Sequence, residues 1–218
     1  MATKPEIIFD EATHTYLVDG QEVPSVTTIL KPLSDRGYGK ISQSVLQYAA
    51  NRGRAVHEAL EVYDLGGELE VTPETQGYIQ AYLEWSEIYR PKWIGVEQIV
   101  YCESEGYIGT LDRIGTLNGT ELAIVDIKTS QPTKEALVSV CLQTTAYELA
   151  YCRSLMADYE IPTINRYGLF LNKDGTYRCV NCREYEIKYA FFSYDSWHKL
   201  LDTYKMITKI LETKARGK

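Results

Sequence analysis

The sequence predicts an α+β fold in which a central mixed β-sheet is flanked by helices and preceded by an N-terminal β-hairpin. Three observations carry this. Apolar residues recur at helical spacing in four long segments. Three β-rich runs follow one another between residues 93 and 128, with turn pairs between them. The order of elements, helix, strand meander, helix, then further strand and helix, suits helices layered on a sheet.

The hairpin is read over Ile7 to Val26, where apolar and polar residues alternate around the turn signal Asp19-Gly20. Pro24-Ser25 has the form of a helix start with Ser25 as cap, leading through Val26, Ile29 and Leu30 into a short helix that a polar break from Ser34 to Lys40 ends. From Ser42 to Leu65, Val45, Ala49, Val56, Leu60 and Tyr63 form a helical stripe, with Gly53 in the same stripe as a point of close packing. A second helix is expected from Pro73 to Tyr89, with Tyr78, Tyr82 and Trp85 keeping the period and Pro91 ending it.

The meander comprises Trp93 to Glu103, Tyr107 to Leu117 and Glu121 to Lys128, separated by Glu105-Gly106 and Asn118-Gly119. The third run is apolar on both faces, which predicts a central strand. After Ser130-Gln-Pro a long helix is expected from Lys134 to Ala157. Then come two strands, Arg166 to Asn172 and Thr176 to Ile187, in a hairpin around Lys173-Asp-Gly, and a last helix from Ser193 to Lys214. The reading is one domain over 1–218, with an N-terminal hairpin and helical part (1–92), a sheet-and-helix part (93–157) and a C-terminal hairpin and helix (158–218).

The composition, 44% hydrophobic and 24% charged over 218 residues, is that of a globular chain. No apolar run approaches the roughly 18 residues of a membrane span, and the first residues lack the apolar stretch of a signal peptide, so a cytoplasmic location without membrane association is expected. Five irregularly spaced cysteines fit reduced thiols better than a disulfide framework. A net charge of −7 disfavours nucleic-acid binding in bulk, yet carboxylates gathered to hold a metal would themselves make the count more negative.

The chemistry concentrates in Gly109-Thr-Leu-Asp112 and Asp126-Ile-Lys128. Residues i and i+2 of a strand share a face, so Asp126 and Lys128 project together, and an antiparallel neighbour can bring Asp112 beside them. Clustered carboxylates are ligands for Mg²⁺ or Mn²⁺, and an adjacent lysine supplies positive charge to a phosphodiester under attack. A buried salt bridge is the alternative reading. His57 borders the apolar stripe of its helix one turn from Gly53, where it is either a metal ligand or a packing residue. Gln143 and Tyr147, four apart on the helix that follows, share one face and can hydrogen-bond a phosphate or a metal ligand.

Taken together, Arg52-Gly-Arg-Ala-Val-His57, Gly109-Thr-Leu-Asp112, Asp126-Ile-Lys128-Thr and Gln143-Thr-Thr-Ala-Tyr147 resemble the ordered motifs of the PD-(D/E)XK nuclease superfamily, in particular its RecB-like branch. Tyr16-Leu-Val-Asp-Gly and Pro24-Ser-Val-Thr-Thr-Ile-Leu30 are similar to the opening segment of phage-encoded members and of mitochondrial genome maintenance exonucleases. The resemblance implies a restriction-endonuclease-like core. It implies His57, Asp112, Asp126 and the carbonyl of Ile127 as ligands of Mg²⁺ or Mn²⁺, Lys128 as the catalytic lysine, and Glu97 as an acidic member of the site. Gln143 and Tyr147 would support the site and contact DNA, and Thr129 would donate to a phosphate.

Some relatives hold an iron-sulfur cluster with one cysteine ahead of the histidine motif and three near the C terminus. Here Cys102 is the first cysteine, so no cluster is expected, and Cys179-Val-Asn-Cys182 reads as packing residues rather than half a zinc site. Arg52, Arg54 and Arg113 are candidate phosphate contacts. The implied activity is metal-dependent exonucleolytic hydrolysis of DNA ends or single strands, leaving a 5′ phosphate and a 3′ hydroxyl, with a recombination or replication protein as a possible partner. The alternatives are a structure-specific or restriction-like endonuclease and a non-catalytic DNA-binding protein on a decayed nuclease scaffold.

Overall fold

The computed structural model describes residues 5–10, 13, 15–38, 41–155 and 163–216. Strands β1 (Ile7–Asp10), β2 (Thr15–Val18) and β3 (Gln21–Val23) form a small antiparallel sheet, so the expected hairpin is present as β2 and β3 and gains a strand on its outer side. Asp19 and Gly20 both take positive φ, the geometry a two-residue hairpin turn requires. His14 lies outside the described residues.

A five-stranded sheet runs in the order β4 (Lys92–Cys102), β5 (Tyr107–Leu117), β6 (Glu121–Lys128), β7 (Asn165–Leu171), β8 (Tyr177–Asn181). The meander sits within a residue of its predicted bounds, and β6 is the central strand. It pairs antiparallel with β5 and parallel with β7, the parallel step being bridged by helix α4 (Lys134–Leu155). The expected end of that helix at Ala157 lies outside the described residues.

Helix α1 (Val26–Tyr38) and helix α6 (Ser193–Arg216) join α4 on one face of the sheet, around Leu111, Ile114, Ile124, Leu142 and Trp197. Helices α2 (Gln43–Asp64) and α3 (Gln76–Tyr89) cover the other face, around Val56, Leu60, Trp85, Val125 and Ile127. This is a restriction-endonuclease-like α+β arrangement. Among the described residues no helix is long and apolar enough to cross a membrane.

Four local readings are corrected. Helix α1 continues through the expected break at Ser34, whose hydroxyl donates back to the Lys31 carbonyl and so adds no competing turn. Only Val56 and Leu60 of the α2 stripe are buried; Val45 and Tyr63 are exposed. Pro73 lies in a turn closed by Thr72 and Thr75, and α3 begins three residues later than expected. Residues Cys182 to Tyr189 form helix α5 instead of prolonging a strand, because the Asn181 side chain accepts from the backbone N–H groups of Arg183 and Glu184 and caps a new helix.

That cap also separates the two late cysteines. Cys179 packs against the α2–α3 side of the sheet, whereas Cys182 is buried with Leu137, Val140, Cys141 and Phe170. All five cysteines are free thiols.

Candidate active site

The C-terminal end of β6 is where the sheet stops being apolar. Asp126 and Lys128 project toward α4, one residue either side of Ile127, which faces the opposite core. Arg113 pairs with Val125 across β5 and β6; one step further on, the ladder gives way to a side chain, and Asp112 Oδ2 takes the Ile127 N–H at 2.6 Å. The carboxylate thereby satisfies a strand-end donor and is fixed at the site.

On β4, Glu97 lies between Val96, opposite Arg113, and Gln98, opposite Leu111. Its φ of 45° is left-handed, a conformation that costs a non-glycine residue about 1–3 kcal/mol and clusters at functional sites. The Arg113 guanidinium holds the resulting carboxylate position, donating to Glu97 Oε1 at 2.9 Å.

Helix α2 supplies His57 from across the sheet. Val56 and Leu60 anchor the helix in the core, and Gly53 faces Thr129, whose Oγ1 would lie 3.4 Å from a Cβ at that position, an ordinary contact distance. Arg52 adds a bond from its guanidinium to the Thr129 carbonyl at 3.2 Å while stacking over Tyr78. His57 Nε2 sits 3.1 Å from the Ile127 carbonyl, and Nδ1 lies 3.5 Å from Glu97 Oε1 and 3.9 Å from Asp112 Oδ2. Burial pulls the imidazole pKa down, but Asp112 first and then Glu97 outweigh it, so the ring is held above its ordinary value.

His57, Glu97 and Asp112 each place one ligand atom within 4.8 Å of the others, the spacing of a cation site. Asp126 stands beside them, fully buried. Lys128 Nζ is 2.6 Å from its Oδ2, while Oδ1 has no hydrogen-bond partner among the described residues. A buried carboxylate oxygen left without a donor is the kind of group a divalent metal satisfies, and the hard-oxygen and imidazole donors suit Mg²⁺ or Mn²⁺. His57, Glu97 and Asp112 are the residues whose spacing fits such an ion, with the Ile127 carbonyl next to His57 and Asp126 beside the cluster.

Behind the site, Lys128 donates to Gln143 Oε1 at 3.1 Å and Gln143 Nε2 donates to the Tyr147 hydroxyl at 2.9 Å. Both α4 residues are buried, so their bonds run inward and orient Lys128. Gly109 makes room for this relay, because a Cβ there would come within 2.7 Å of the Tyr147 ring. The sequence singled out the glycine's motif without its reason.

Burial of Asp126 pushes its carboxyl up to about 7, against the pull of Lys128 and with the push of Asp112. An unfolded aspartate titrates near 3.9, so the folded protein prefers the protonated form and loses stability as pH rises from roughly 4 to 7, with the penalty complete above that. Asp126→Asn cannot ionise. In EDTA at about pH 8 it is expected to gain roughly 2 kcal/mol in urea unfolding, the rest of the linkage being offset by the lost Lys128 partner, and the gain should shrink toward about pH 4. An equal difference from wild type at both pH values would remove the buried charge as its cause.

Arg113, expected as a phosphate contact, is corrected: it is fully buried. It donates to Asp64 Oδ2 at 2.6 Å, to Glu97 and to the Asp112 carbonyl at 2.7 Å, and Tyr82 closes the group with a 2.7 Å bond to Asp64. Asp64 and Tyr82 were missed in the sequence because each reads as an ordinary helix residue, Asp64 two turns beyond His57 on α2 and Tyr82 on α3. Arg54 is exposed and Arg52 half-buried.

No curated protein sequence matches the chain. The sequence model of the PD-(D/E)XK nuclease superfamily matches residues 68–176, half of the chain. That span carries Glu97, Asp112, Asp126, Lys128, Gln143 and Tyr147 and leaves His57 to stand on geometry. With a mixed sheet whose central strand ends in Asp126 and Lys128, and with the match laid over that strand and its neighbours, the chain belongs to the PD-(D/E)XK nuclease superfamily.

Proposed function

We propose that this nuclease is a divalent-metal-dependent DNA exonuclease of the RecB-like type, hydrolysing phosphodiester bonds at DNA ends or in single strands. The observation that carries the reading is the convergence of His57, Glu97 and Asp112 within 4.8 Å beside the Asp126–Lys128 pair. His57, Asp112, Asp126, Glu97 and the Ile127 carbonyl would hold Mg²⁺ or Mn²⁺, which polarises a phosphodiester and lowers the pKa of water. Lys128, half in the cleft and steered by Gln143, places its ammonium against the charge that develops on the phosphate. Thr129 adjoins the same strand end and is the proposed hydroxyl donor to a phosphate oxygen. The branch is supported by Gln143 and Tyr147, whose hydrogen-bonded chain to Lys128 gives their motif a physical role.

The test is cleavage of end-labelled single-stranded, duplex and closed circular DNA with Mg²⁺, Mn²⁺ or EDTA. Metal-dependent loss of linear DNA with circles spared is expected, and the order of product release reads the polarity. Nicked circles would replace the exonuclease reading with an endonuclease, and binding without cleavage in any metal would replace it with a DNA-binding protein.

A further inference from the structure

The C-terminal half of α6 is little covered. Of residues 202–213 only Tyr204 and Thr208 are half-buried, and the rest are exposed, Met206, Ile207, Ile210 and Leu211 among them at 57%, 49%, 48% and 61%. These four follow one another at i, i+1, i+4 and i+5 and so share one side of the helix, with Lys199 two turns before Met206 and Lys209 at the margin, both exposed. Beside that side, between α6 and α1, runs an open groove of about 420 Å³ whose walls include Pro32, Leu200, Tyr204, Ile207 and Leu211. A helical end of about a dozen residues is marginal in water unless something packs on it, and a contiguous apolar face on a globular chain marks a contact site.

Charge says what covers it. From Thr203 to Lys218 the chain carries five Lys or Arg residues and one carboxylate, Glu212, although its net charge is −7. Two copies of this face laid on one another would set like charges together, which disfavours a two-fold pairing. The complement lies on the opposite face of the sheet. From Ala55 to Tyr89, α2, α3 and the loop between them hold eight Asp or Glu residues and no Lys or Arg. On the outer side of α2, away from the buried Val56 and Leu60, Glu58, Val62 and Leu65 follow one another at i, i+4 and i+7, and Val62 and Leu65 are exposed at 46% and 69%. Glu68, Glu70 and Val71 come next in the loop, all exposed. Helix α2 ends at this corner, where the Gly66 and Gly67 N–H groups donate back to the Tyr63 and Val62 carbonyls, and the negative end of a helix favours a cation.

We propose that the exposed end of α6 docks on the acidic α2–α3 corner of a second copy of this chain, its apolar side set against Val62 and Leu65 of that copy and its lysines against Glu58, Glu68 and Glu70. Because α6 packs with α1 and α4 on one face of the sheet and α2 with α3 on the other, no copy covers its own tail. The contact is head-to-tail, joining two different surfaces, and each copy keeps one tail and one corner for further neighbours. The patches are small, so the association is weak and steered by charge.

The experiment is sedimentation velocity of the full chain from about 1 to 100 µM, in about 50 mM and about 500 mM NaCl. At the lower salt the mean mass is expected to rise with concentration above the 24.9 kDa of one copy, and the higher salt should weaken the association by at least about tenfold. Ile210→Asp on the tail and Leu65→Lys on the corner change exposed side chains, and each should weaken association by at least about tenfold while melting close to wild type. Mixed in equal amounts the two variants should associate again, because the intact tail of the Leu65→Lys copy meets the intact corner of the Ile210→Asp copy. Should Leu65→Lys fold poorly, Glu70→Lys on the exposed loop replaces it with the same expected outcome.

A wild type that keeps the mass of one copy at about 100 µM in low salt would overturn the proposal. Association lost in Ile210→Asp but kept in Leu65→Lys and Glu70→Lys would set another surface opposite the tail and overturn it as well, as would a mixture of the two variants that stays apart. None of these readouts depends on cleavage, so the outcome is independent of the nuclease reading.

Discussion

Lys128→Ala and Asp126→Ala are each expected to lower metal-dependent DNA cleavage by at least about 10³-fold while the protein remains folded. Lys128 is a cationic group that reaches the cleft from the strand end, with 29% of its side chain exposed, and its bonds to Asp126 and to Gln143 serve to aim it. Neither bond carries a secondary-structure element, so truncation at Cβ leaves the sheet ladder of β6 with β5 and β7 intact. Removing the lysine does leave Asp126 without its cation, and the buried carboxyl then holds its proton still more firmly. Asp126→Ala removes instead the buried carboxylate whose Oδ1 has no hydrogen-bond partner among the described residues. Thermal melting of both variants alongside single-turnover cleavage of a labelled strand separates chemistry from folding. Cleavage retained within tenfold in both, with normal melting, would show that the reaction centre lies elsewhere.

How much of this was legible in the sequence depends on whether the signal was local. The meander was read within a residue because alternation fixes each strand and the turn pairs at Glu105-Gly106 and Asn118-Gly119 fix the gaps; Gly106, Asn118 and Gly119 all take positive φ. Asp112, Asp126 and Lys128 were legible for the same reason, since strand periodicity says which side chains share a face. Helix α5 was not, because a run such as Cys182 to Tyr189 carries apolar residues compatible with either period, and what decides it is one side chain, Asn181, bonding two N–H groups.

The exposed first half of α2 was misread because helical periodicity marks an apolar stripe without saying whether anything packs on it. Glu97 could be placed in the site only by family resemblance. Its entry into the cluster depends on a left-handed backbone at a glutamate, which no composition rule predicts.

Arg113 is the residue for which adjacency misled most. As the neighbour of Asp112 it looked like a basic flank of the site, but neighbours on a strand face opposite ways, and Arg113 turns into the α2–α3 side, where Asp64 and Tyr82 meet it. Arg113→Ala is therefore expected to cost about 3–5 kcal/mol of folding stability, because it strands the Asp64 carboxylate, whose side chain is 5% exposed, without its cation. Arg113→Lys should recover little, since one ammonium cannot span Asp64, Glu97 and the Asp112 carbonyl as the guanidinium does.

If the loss comes from the stranded charge, Asp64→Asn in the Arg113→Ala background should restore part of it, and a urea double-mutant cycle would report a coupling of at least about 1 kcal/mol. The same arginine holds Glu97 in its left-handed position, so a folded fraction of Arg113→Ala should bind Mn²⁺ more weakly than wild type in calorimetry. A stability loss below about 1 kcal/mol with unchanged Mn²⁺ affinity would mean that Asp64 and Glu97 are held by other groups, and that the buried arginine merely fills space between the sheet and α2.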